Sequence, residues 1–319
     1  MGQQLQGNTT VKRLLVILLA VTVIALAYIA LVEIPTQVRF AARTVLDTSP
    51  ADVGLAYENF ELRPADANIA LKGWWIPAKQ PIATLLFLHG GSSNRNSRYF
   101  EALEFYSAIV ERGVSVAAID LRNHGESGAD DHGIQFGRTE QHDAAALVAW
   151  ARQKPSPGPI FLMGISMGGA TAIRAIHEGA QVDGLILLDS LLDTQDALQQ
   201  AIWASSGLPP ALTAPSAWAA TTFYGFPGGE EQPLHLAAAL DVPILVMQDP
   251  ADPVTRAPYA ESLAAQNSRA ELWMAPAAQS NDARLAWKKR WGSHVAAFAL
   301  YPTETIEQII NFMQRVIRE

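Results

Sequence analysis

The stretch Ile160-Phe161-Leu162-Met163-Gly164-Ile165-Ser166-Met167-Gly168-Gly169-Ala170 joins a short apolar run to a segment with helical spacing. A G-x-S-x-G pattern between a strand and a helix makes a tight turn that lifts the serine hydroxyl above the edge of the sheet. The amides at the start of the new helix point to the same place and favour negative charge there. The stretch therefore predicts an α/β fold with Ser166 as a nucleophile. The alternative is a glycine-rich turn with an incidental serine.

Apolar runs bounded by turn residues recur on both sides of this stretch, with segments of helical spacing between them. Continuous apolar strands that alternate with amphipathic helices are typical of a mostly parallel sheet covered on both faces. Residues 53–319 are therefore predicted to form one α/β domain, with an apolar lid insertion at about 191–233. The predicted strands are Tyr57–Leu62, Ile69–Ile76, Ala83–Leu88, Val114–Ile119, Ile160–Met163, Leu185–Leu188, Ile244–Met247 and Glu271–Met274, and the clearest helices are Phe100–Arg112, Glu140–Arg152 and Ala170–His177.

A serine hydroxyl is a poor nucleophile unless a base accepts its proton and a carboxylate orients that base. This type of elbow occurs with the chain order serine, acid, histidine. Three histidines follow Ser166: His177 at the end of the predicted helix Ala170–His177, and His235 and His294 beyond the next predicted strand. His294 comes after the last predicted strand and just before a C-terminal helix, so its position favours it as the base. A surface loop histidine is the alternative interpretation.

The candidate acids follow the predicted strand Ile244–Met247. Asp249 and Asp252 both lie in the loop beyond the carboxyl end of that strand. Spacing alone separates them poorly, so both stay open at this point. Asp189 and Asp193 come after the preceding strand and are less favourable candidates.

Acyl transfer also needs donors for the oxyanion that develops on the substrate. His89-Gly90-Gly91-Ser92 follows the predicted strand Ala83–Leu88. The amide of Gly91, together with that of Met167 in the elbow, is the predicted donor pair. The imidazole of His89 is interpreted as a structural hydrogen-bonding group of this turn.

These motifs resemble those of the α/β-hydrolase superfamily over residues 53–319. The resemblance implies an α/β-hydrolase fold and chemistry through an acyl-enzyme, with Asp252 rather than Asp249 as the acid. Additional features are similar to a bacterial branch of membrane-anchored serine hydrolases: Gly73-Trp74-Trp75-Ile76-Pro77, and Tyr301-Pro302 shortly after His294. The motifs that carry the superfamily resemblance are His89-Gly90-Gly91, Asp120-Leu121-Arg122-Asn123-His124-Gly125-Glu126-Ser127, Gly164-Ile165-Ser166-Met167-Gly168, Asp252-Pro253-Val254 and His294.

The sequence departs from the family pattern between Met274 and His294, where the family usually has only a few residues. Two interpretations of the inserted residues 277–292 stay open. A basic and aromatic cluster beside the active site could contact lipid headgroups or an anionic substrate. Alternatively, the insertion is a solvated helix on a loop. The residues concerned are Arg284, Trp287, Lys288, Lys289, Arg290 and Trp291.

The segment from Leu14 to Val32 carries no charge. A helix of this length extends ~28 Å, close to the hydrocarbon thickness of a bilayer. We therefore predict a transmembrane anchor at 14–32, between a tail (1–13) and a linker (33–52). A cleaved signal peptide, with a site at Ala25-Leu26-Ala27, is the main rival, but the apolar run continues beyond that site. The short tail before a long domain favours a cytoplasmic N-terminus with the catalytic domain exported.

The amino-acid composition and the net charge exclude several classes of function. The chain has 319 residues, of which 49% are hydrophobic and 17% charged, and this is ample material for a core. The absence of cysteine excludes disulfides, thiolate metal sites and a cysteine nucleophile. A net charge of −8 argues against a nucleic-acid partner. No histidine pair has metal-ligand spacing and no nucleotide-binding loop is present, so neither a metal nor a cofactor is predicted.

The sequence therefore predicts a membrane-tethered serine hydrolase that cleaves an ester-type acyl bond, as a carboxylesterase or a lipase does. Its predicted partners are a small acyl substrate of apolar character and, through the N-terminal helix, membrane lipid. A peptidase or an acyl-thioesterase with the same catalytic residues is the first alternative. A non-catalytic binding module held at the membrane is the second, and a broken triad would indicate it.

Overall fold

A computed structural model describes residues 2–155, 157–279 and 281–319 of the chain. Within these residues one eight-stranded sheet forms the centre of the domain, in the order β1-β2-β4-β3-β5-β6-β7-β8. All eight predicted strands are confirmed, with ends that differ by at most two residues. The strands are β1 (Glu58–Leu62), β2 (Leu71–Ile76), β3 (Ala83–Leu88), β4 (Val114–Ile119), β5 (Ile160–Ile165), β6 (Gly184–Leu188), β7 (Ile244–Gln248) and β8 (Ala270–Met274).

The sheet is parallel from β4 to β8, and an antiparallel pair closes one edge. β2 pairs antiparallel with both β1 and β4, whereas β3 lies parallel between β4 and β5. Strands β3 to β7 are buried along their whole length. This burial on both faces is why those strands are continuously apolar rather than alternating.

Helices cover both faces of the sheet. One core contains α4, α5 and α9, and the core on the opposite face contains α3 and α11. The predicted helices are confirmed, but α5 begins three residues earlier than expected, directly after Ser166. The helices are α1 (Gly2–Tyr28), α2 (Ile34–Arg39), α3 (Ala102–Glu111), α4 (Gln141–Arg152), α5 (Met167–His177), α6 (Thr194–Ser206), α7 (Pro210–Phe223), α8 (Pro233–Ala238), α9 (Ala257–Gln266), α10 (Ala297–Leu300) and α11 (Pro302–Arg318).

The N-terminal helix is longer than the predicted span. One π-helical turn at Ile29–Glu33 joins α1 to α2, so the helix continues to Arg39. Pro35 follows this π-helical turn as the second residue of α2 and does not end the helix. The stretch Thr10–Arg39 contains an 18-residue window of mean hydropathy 3.0 and is long and apolar enough to cross a membrane.

The rest of the predicted linker (33–52) is attached to the domain surface. The guanidinium of Arg43 donates to the carbonyl of Ser127 at 2.6 Å, and the hydroxyl of Thr44 donates to the carbonyl of Ser92 at 2.6 Å. The linker ends in a 3-10 turn at Pro50–Val53, which Ser49 caps. Residues expected to form a polar linker thus include a helix, a turn and several tertiary hydrogen bonds.

The predicted insertion at about 191–233 lies between β6 and β7. It forms α6, α7 and a 3-10 turn at Gly229–Glu231. Helix α6 packs against α7, and α7 packs against Ile29–Glu33 and α2. The insertion therefore connects the carboxyl edge of the sheet to the end of the N-terminal helix.

Candidate active site

The elbow places Ser166 between the end of β5 and the start of α5. Its backbone has φ 50° and ψ −121°, a conformation that L-residues rarely adopt. The surrounding chain fixes it, since the Ser166 amide donates to the carbonyl of Leu188 at 3.2 Å and its carbonyl accepts from the Leu191 amide at 3.0 Å. A strained non-glycine residue of this kind costs about 1–3 kcal/mol and is concentrated at functional sites.

Ser166, His294 and Asp252 form one hydrogen-bonded row. The Oγ of Ser166 lies 3.0 Å from Nε2 of His294, and Nδ1 of His294 lies 2.8 Å from Oδ2 of Asp252. A carboxylate only accepts hydrogen bonds, so Nδ1 carries the proton and Nε2 of the neutral ring accepts the serine proton. His294 and Asp252 are buried, and Ser166 is partly exposed.

The carboxylate of Asp252 is held on both oxygens. Its Oδ1 accepts from the amides of Val254 and Thr255, and its Oδ2 accepts from the Thr255 hydroxyl at 2.7 Å as well as from His294. Asp249, the alternative acid, accepts from the Ala251 amide at 2.8 Å. Geometry therefore separates the two carboxylates where spacing did not: the carboxylate of Asp252 faces the imidazole.

His235, the alternative base, is exposed and stands apart from this row. Its Nδ1 lies 3.2 Å from the carbonyl of Gly229, at the start of α8. The structure does not bring it to Ser166.

The loop after β3 approaches the serine closely. A Cβ added to Gly90 would lie 3.2 Å from Cβ of Ser166, and one added to Gly91 would lie 3.6 Å from Sδ of Met167. Among the described residues, neither the Gly91 amide nor the Met167 amide donates a hydrogen bond. Two uncommitted amides beside the nucleophile are what an oxyanion site requires.

His89 shapes this loop. Its Nδ1 lies 2.7 Å from the carbonyl of Gly90, and its Nε2 accepts from the Leu121 amide at 3.0 Å. Full burial lowers the pKa of His89 to about 4, so the ring stays neutral. Both nitrogens are engaged, in agreement with the structural role expected for this residue.

The motif that begins at Asp120 supports the same loop from behind. The carboxylate of Asp120 accepts from the amides of Arg95 and Glu126 and pairs with the Arg95 guanidinium. The Ser127 hydroxyl donates to the Asp120 carbonyl at 2.6 Å. This motif therefore fixes the turn after β4 against the turn after β3.

Sequence reasoning underestimated Asp189. Its Oδ1 accepts from the Asp249 amide at 2.8 Å, and its Oδ2 accepts from the Val295 amide at 3.0 Å. One buried carboxyl thus ties the loop that carries Asp252 to the loop that carries His294. Burial, and the nearby charge of Asp252, hold the pKa of Asp189 well above its usual value. Its position at the end of β6, between the serine and acid strands, was the available signal.

Lys288 was also missed in this role. Its Nζ donates to the carbonyl of Tyr99 at 2.5 Å and to that of His294 at 3.3 Å. Only 2% of the residue is exposed, and this burial lowers the pKa of the ammonium to about 8. A cation from the insertion therefore supports the histidine loop from inside.

Two other basic residues of the insertion donate hydrogen bonds to backbone carbonyls of the domain. Arg290 donates to the carbonyls of Trp203 and Ser205 at the end of α6, and Arg284 donates to the carbonyl of Leu300 at 3.1 Å. The ring of Trp291 lies 5.7 Å from that of His294. The side chains of Arg284, Trp287, Lys289 and Arg290 nevertheless remain exposed, so these contacts do not decide between the two open interpretations.

Comparison with known proteins finds one family model, described as "Alpha/beta hydrolase family", that matches residues 85–307. AB hydrolase superfamily protein YisY of Bacillus subtilis is 35% identical over 108 residues, which are 33% of this chain and 37% of that protein. Lysophosphatidylserine lipase ABHD12 of Danio rerio is 27% identical over 161 residues, 43% of this chain and 41% of that protein. The chain thus spans about two fifths of the length of these curated relatives.

Among solved structures, that of the Pyrococcus furiosus esterase Pf2001 superposes with a TM-score of 0.68. The superposition covers 86% of this chain and 96% of that chain, at 23% identity. At this identity the similarity shows a shared fold.

Proposed function

This chain belongs to the alpha/beta hydrolase family, and on that premise we propose that it is a membrane-tethered serine hydrolase that cleaves ester-type acyl bonds. The observation that carries the proposal is the hydrogen-bonded row from Ser166 through His294 to Asp252. Its geometry suits proton transfer from the serine hydroxyl to the imidazole, with a carboxylate on the far side of the ring.

In the proposed reaction Oγ of Ser166 attacks the acyl carbonyl carbon while its proton passes to Nε2 of His294. The amides of Gly91 and Met167 stabilise the negative charge on the former carbonyl oxygen, and Asp252 stabilises the imidazolium. Collapse breaks the bond from the acyl carbon to the leaving oxygen, and the alcohol departs with the proton from Nε2. Water then attacks the acyl-enzyme with the same base, and this releases the acid and restores Ser166.

The substrate class is proposed as an apolar acyl ester. The insertion between β6 and β7 carries no charged side chain from 197 to 229, which suits contact with an acyl chain. The relative named a lysophosphatidylserine lipase supports including monoacyl phospholipids among the candidates.

A fluorophosphonate probe tests the nucleophile. Wild-type chain is expected to be labelled and Ser166→Ala to be spared. Ser190→Ala is the matched control, because its hydroxyl donates to the Gly164 carbonyl behind the elbow, and it should stay labelled. An unlabelled wild type would contradict the serine mechanism.

A substrate panel then tests the bond type. Acyl esters of graded length and a lysophospholipid are compared with acyl thioesters and aminoacyl amides. Preference for esters is expected, whereas faster turnover of thioesters or amides would replace the esterase assignment with the corresponding alternative.

The membrane tether is supported by the exposed apolar surface of α1. Retention in the membrane fraction after alkaline carbonate washing, with an intact mass that includes residues 1–28, is the expected result. A mass that corresponds to a chain starting after Ala27 would instead indicate a cleaved signal peptide.

A further inference from the structure

Helix α7 presents a large apolar face to its surroundings. Leu212, Trp218 and Phe223 are 65%, 49% and 67% exposed, and Leu208 just before the helix is 43% exposed. A surface helix of a soluble domain normally carries charged residues on its outer face, and this one has none. A contiguous exposed apolar patch marks an interaction surface.

The inner face of α7 packs against the end of the N-terminal helix. Its buried residues include Ala217 and Ala220, and Ile34 and Val38 of α2 pack against the same core. Helix α7 also contacts the π-helical turn at Ile29–Glu33. The contact therefore overlaps the last residues of the predicted membrane span.

The point where the N-terminal helix meets the domain is fixed by tertiary contacts. The side chain of Arg39 donates to the His132 carbonyl, and the Arg39 carbonyl accepts from the Ile134 amide at 2.7 Å. Pro35 is buried. The end of the N-terminal helix is therefore attached both to α7 and to the loop that contains His132 and Ile134.

The surface of α1 beyond this junction is apolar and exposed on all sides from Leu14 to Tyr28. Such a surface is stable within the hydrocarbon layer of a bilayer. Any bilayer that encloses α1 must end near Ile29–Glu33, where α7 contacts the helix. Trp and Tyr side chains are enriched at such boundaries; Tyr28 directly precedes this turn, and Trp218 is exposed on α7.

We propose that the outer face of α7, made of Leu208, Leu212, Trp218 and Phe223, lies in the interfacial layer of the same bilayer that holds α1. The inference rests on the membrane tether of the proposed function. The catalytic domain then lies with its inserted helices against the lipid surface rather than hanging from a free linker. Substrate that partitions into the bilayer would be presented on the side of the domain that carries α6 and α7.

The cysteine-free chain allows single labels to be placed without background. Full-length Leu212→Cys carries an environment-sensitive nitrobenzoxadiazole fluorophore and is reconstituted in phosphatidylcholine vesicles that contain nitroxide-labelled lipids. Phe223→Cys is a second site on the same face. Ile24→Cys reports on the span, and Asn311→Cys is the matched control, because it is exposed on α11, on the opposite side of the sheet.

The expected result is quenching of labels at 212 and 223 by shallow nitroxides, quenching at 24 by deep nitroxides, and none at 311. If the labels at positions 212 and 223 are quenched no more than the control label at 311, while the label at 24 is still quenched, the lipid contact of α7 is overturned and the tether stands. Energy transfer between the labels at position 212 of two copies, without quenching by lipid, would show that a second copy of the chain covers the outer face of α7. That result would also overturn the lipid contact. No quenching at 24 would overturn the tether itself, and with it this inference. None of these readouts depends on turnover, so they are independent of the Ser166 test.

Discussion

At the level of single residues, the choice between Asp249 and Asp252 shows how the site depends on its loop. The two carboxylates are three positions apart, and both are largely buried at the end of β7. The turn directs Asp249 to the Ala251 amide and Asp252 to the imidazole of His294. Burial raises the pKa of Asp249, and the nearby charge of Asp252 acts in the same direction.

Asp252→Asn should therefore lower kcat by about 10⁴-fold, because an amide in place of the carboxylate favours the wrong tautomer of His294. Asp249→Asn is the matched control and keeps an acceptor for Ala251, so it should retain most of its activity. Steady-state kinetics on a short soluble ester, with circular dichroism to check the fold, measure both. Equal losses in the two variants would count against Asp252 as the acid.

Lys288 is a second residue whose role depends on position. It lies beside the exposed Lys289, yet only Lys288 reaches the carbonyls of Tyr99 and His294. Lys288→Met leaves the His294 carbonyl without this donor, and an unpaired buried carbonyl costs about 1–3 kcal/mol. We expect kcat to fall about tenfold as the histidine loop relaxes, since 1.4 kcal/mol corresponds to a factor of ten.

KM should change little, because the hydrogen bonds of Lys288 go to the backbone carbonyls of Tyr99 and His294 and not to Ser166. Lys289→Met makes the same chemical change one position away and should behave as wild type. A change in KM without a change in kcat, or the same fall in kcat in both variants, would show that Lys288 does not act through His294.

At the level of elements, the elbow depends on close contacts between backbones. A Cβ on Gly168 would run into the carbonyl of Leu88 at the end of β3, and one on Gly164 would run into the carbonyl of Gly168. These neighbours are main-chain atoms of β3 and of α5 and cannot move as a side chain would. The strand β5 and helix α5 can therefore meet at this angle only with glycine at both positions.

Gly168→Ala should lower the free energy of unfolding by about 3 kcal/mol or more, because it forces β3 and α5 apart. Gly91→Ala is the control in the same site: its Cβ would make an ordinary 3.6 Å contact with Met167, so it should stay within about 0.5 kcal/mol of wild type. Urea unfolding of the detergent-solubilised chain measures both. Similar midpoints for the two variants would disprove the steric explanation.

At the level of the whole molecule, buried ionisable groups give stability a pH dependence with opposing signs. Burial lowers the pKa of His124 to about 3 and of His89 to about 4. Burial also raises the pKa of Asp143 to about 7, despite its pairing with Arg122. The histidines stabilise the fold above pH 6.5 and lose this contribution as pH falls, whereas Asp143 stabilises it at low pH and loses that contribution as pH rises towards 7.

A variant isolates one of these contributions. Because unfolded histidine takes up a proton near pH 6.5 and buried His124 does not, wild type should lose about 2 kcal/mol more than His124→Gln between pH 7 and pH 5. Asp143 is unchanged in both proteins, so its contribution cancels. Unfolding free energies at the two pH values measure the difference, and parallel losses would show that His124 is not held neutral.

The eight strands, the elbow serine and the alternation of strands with helices followed from the sequence alone, because periodicity and glycine spacing are local properties of the chain. Which acid faces His294, and how Asp189 and Lys288 support the histidine loop, depended on tertiary structure. Most of those contacts join residues 42 to 189 positions apart, and even the contact from Lys288 to the His294 carbonyl, six positions away, depends on how the insertion folds. The same holds for α7 and the N-terminal helix: each is apolar by composition, but only packing shows that they meet.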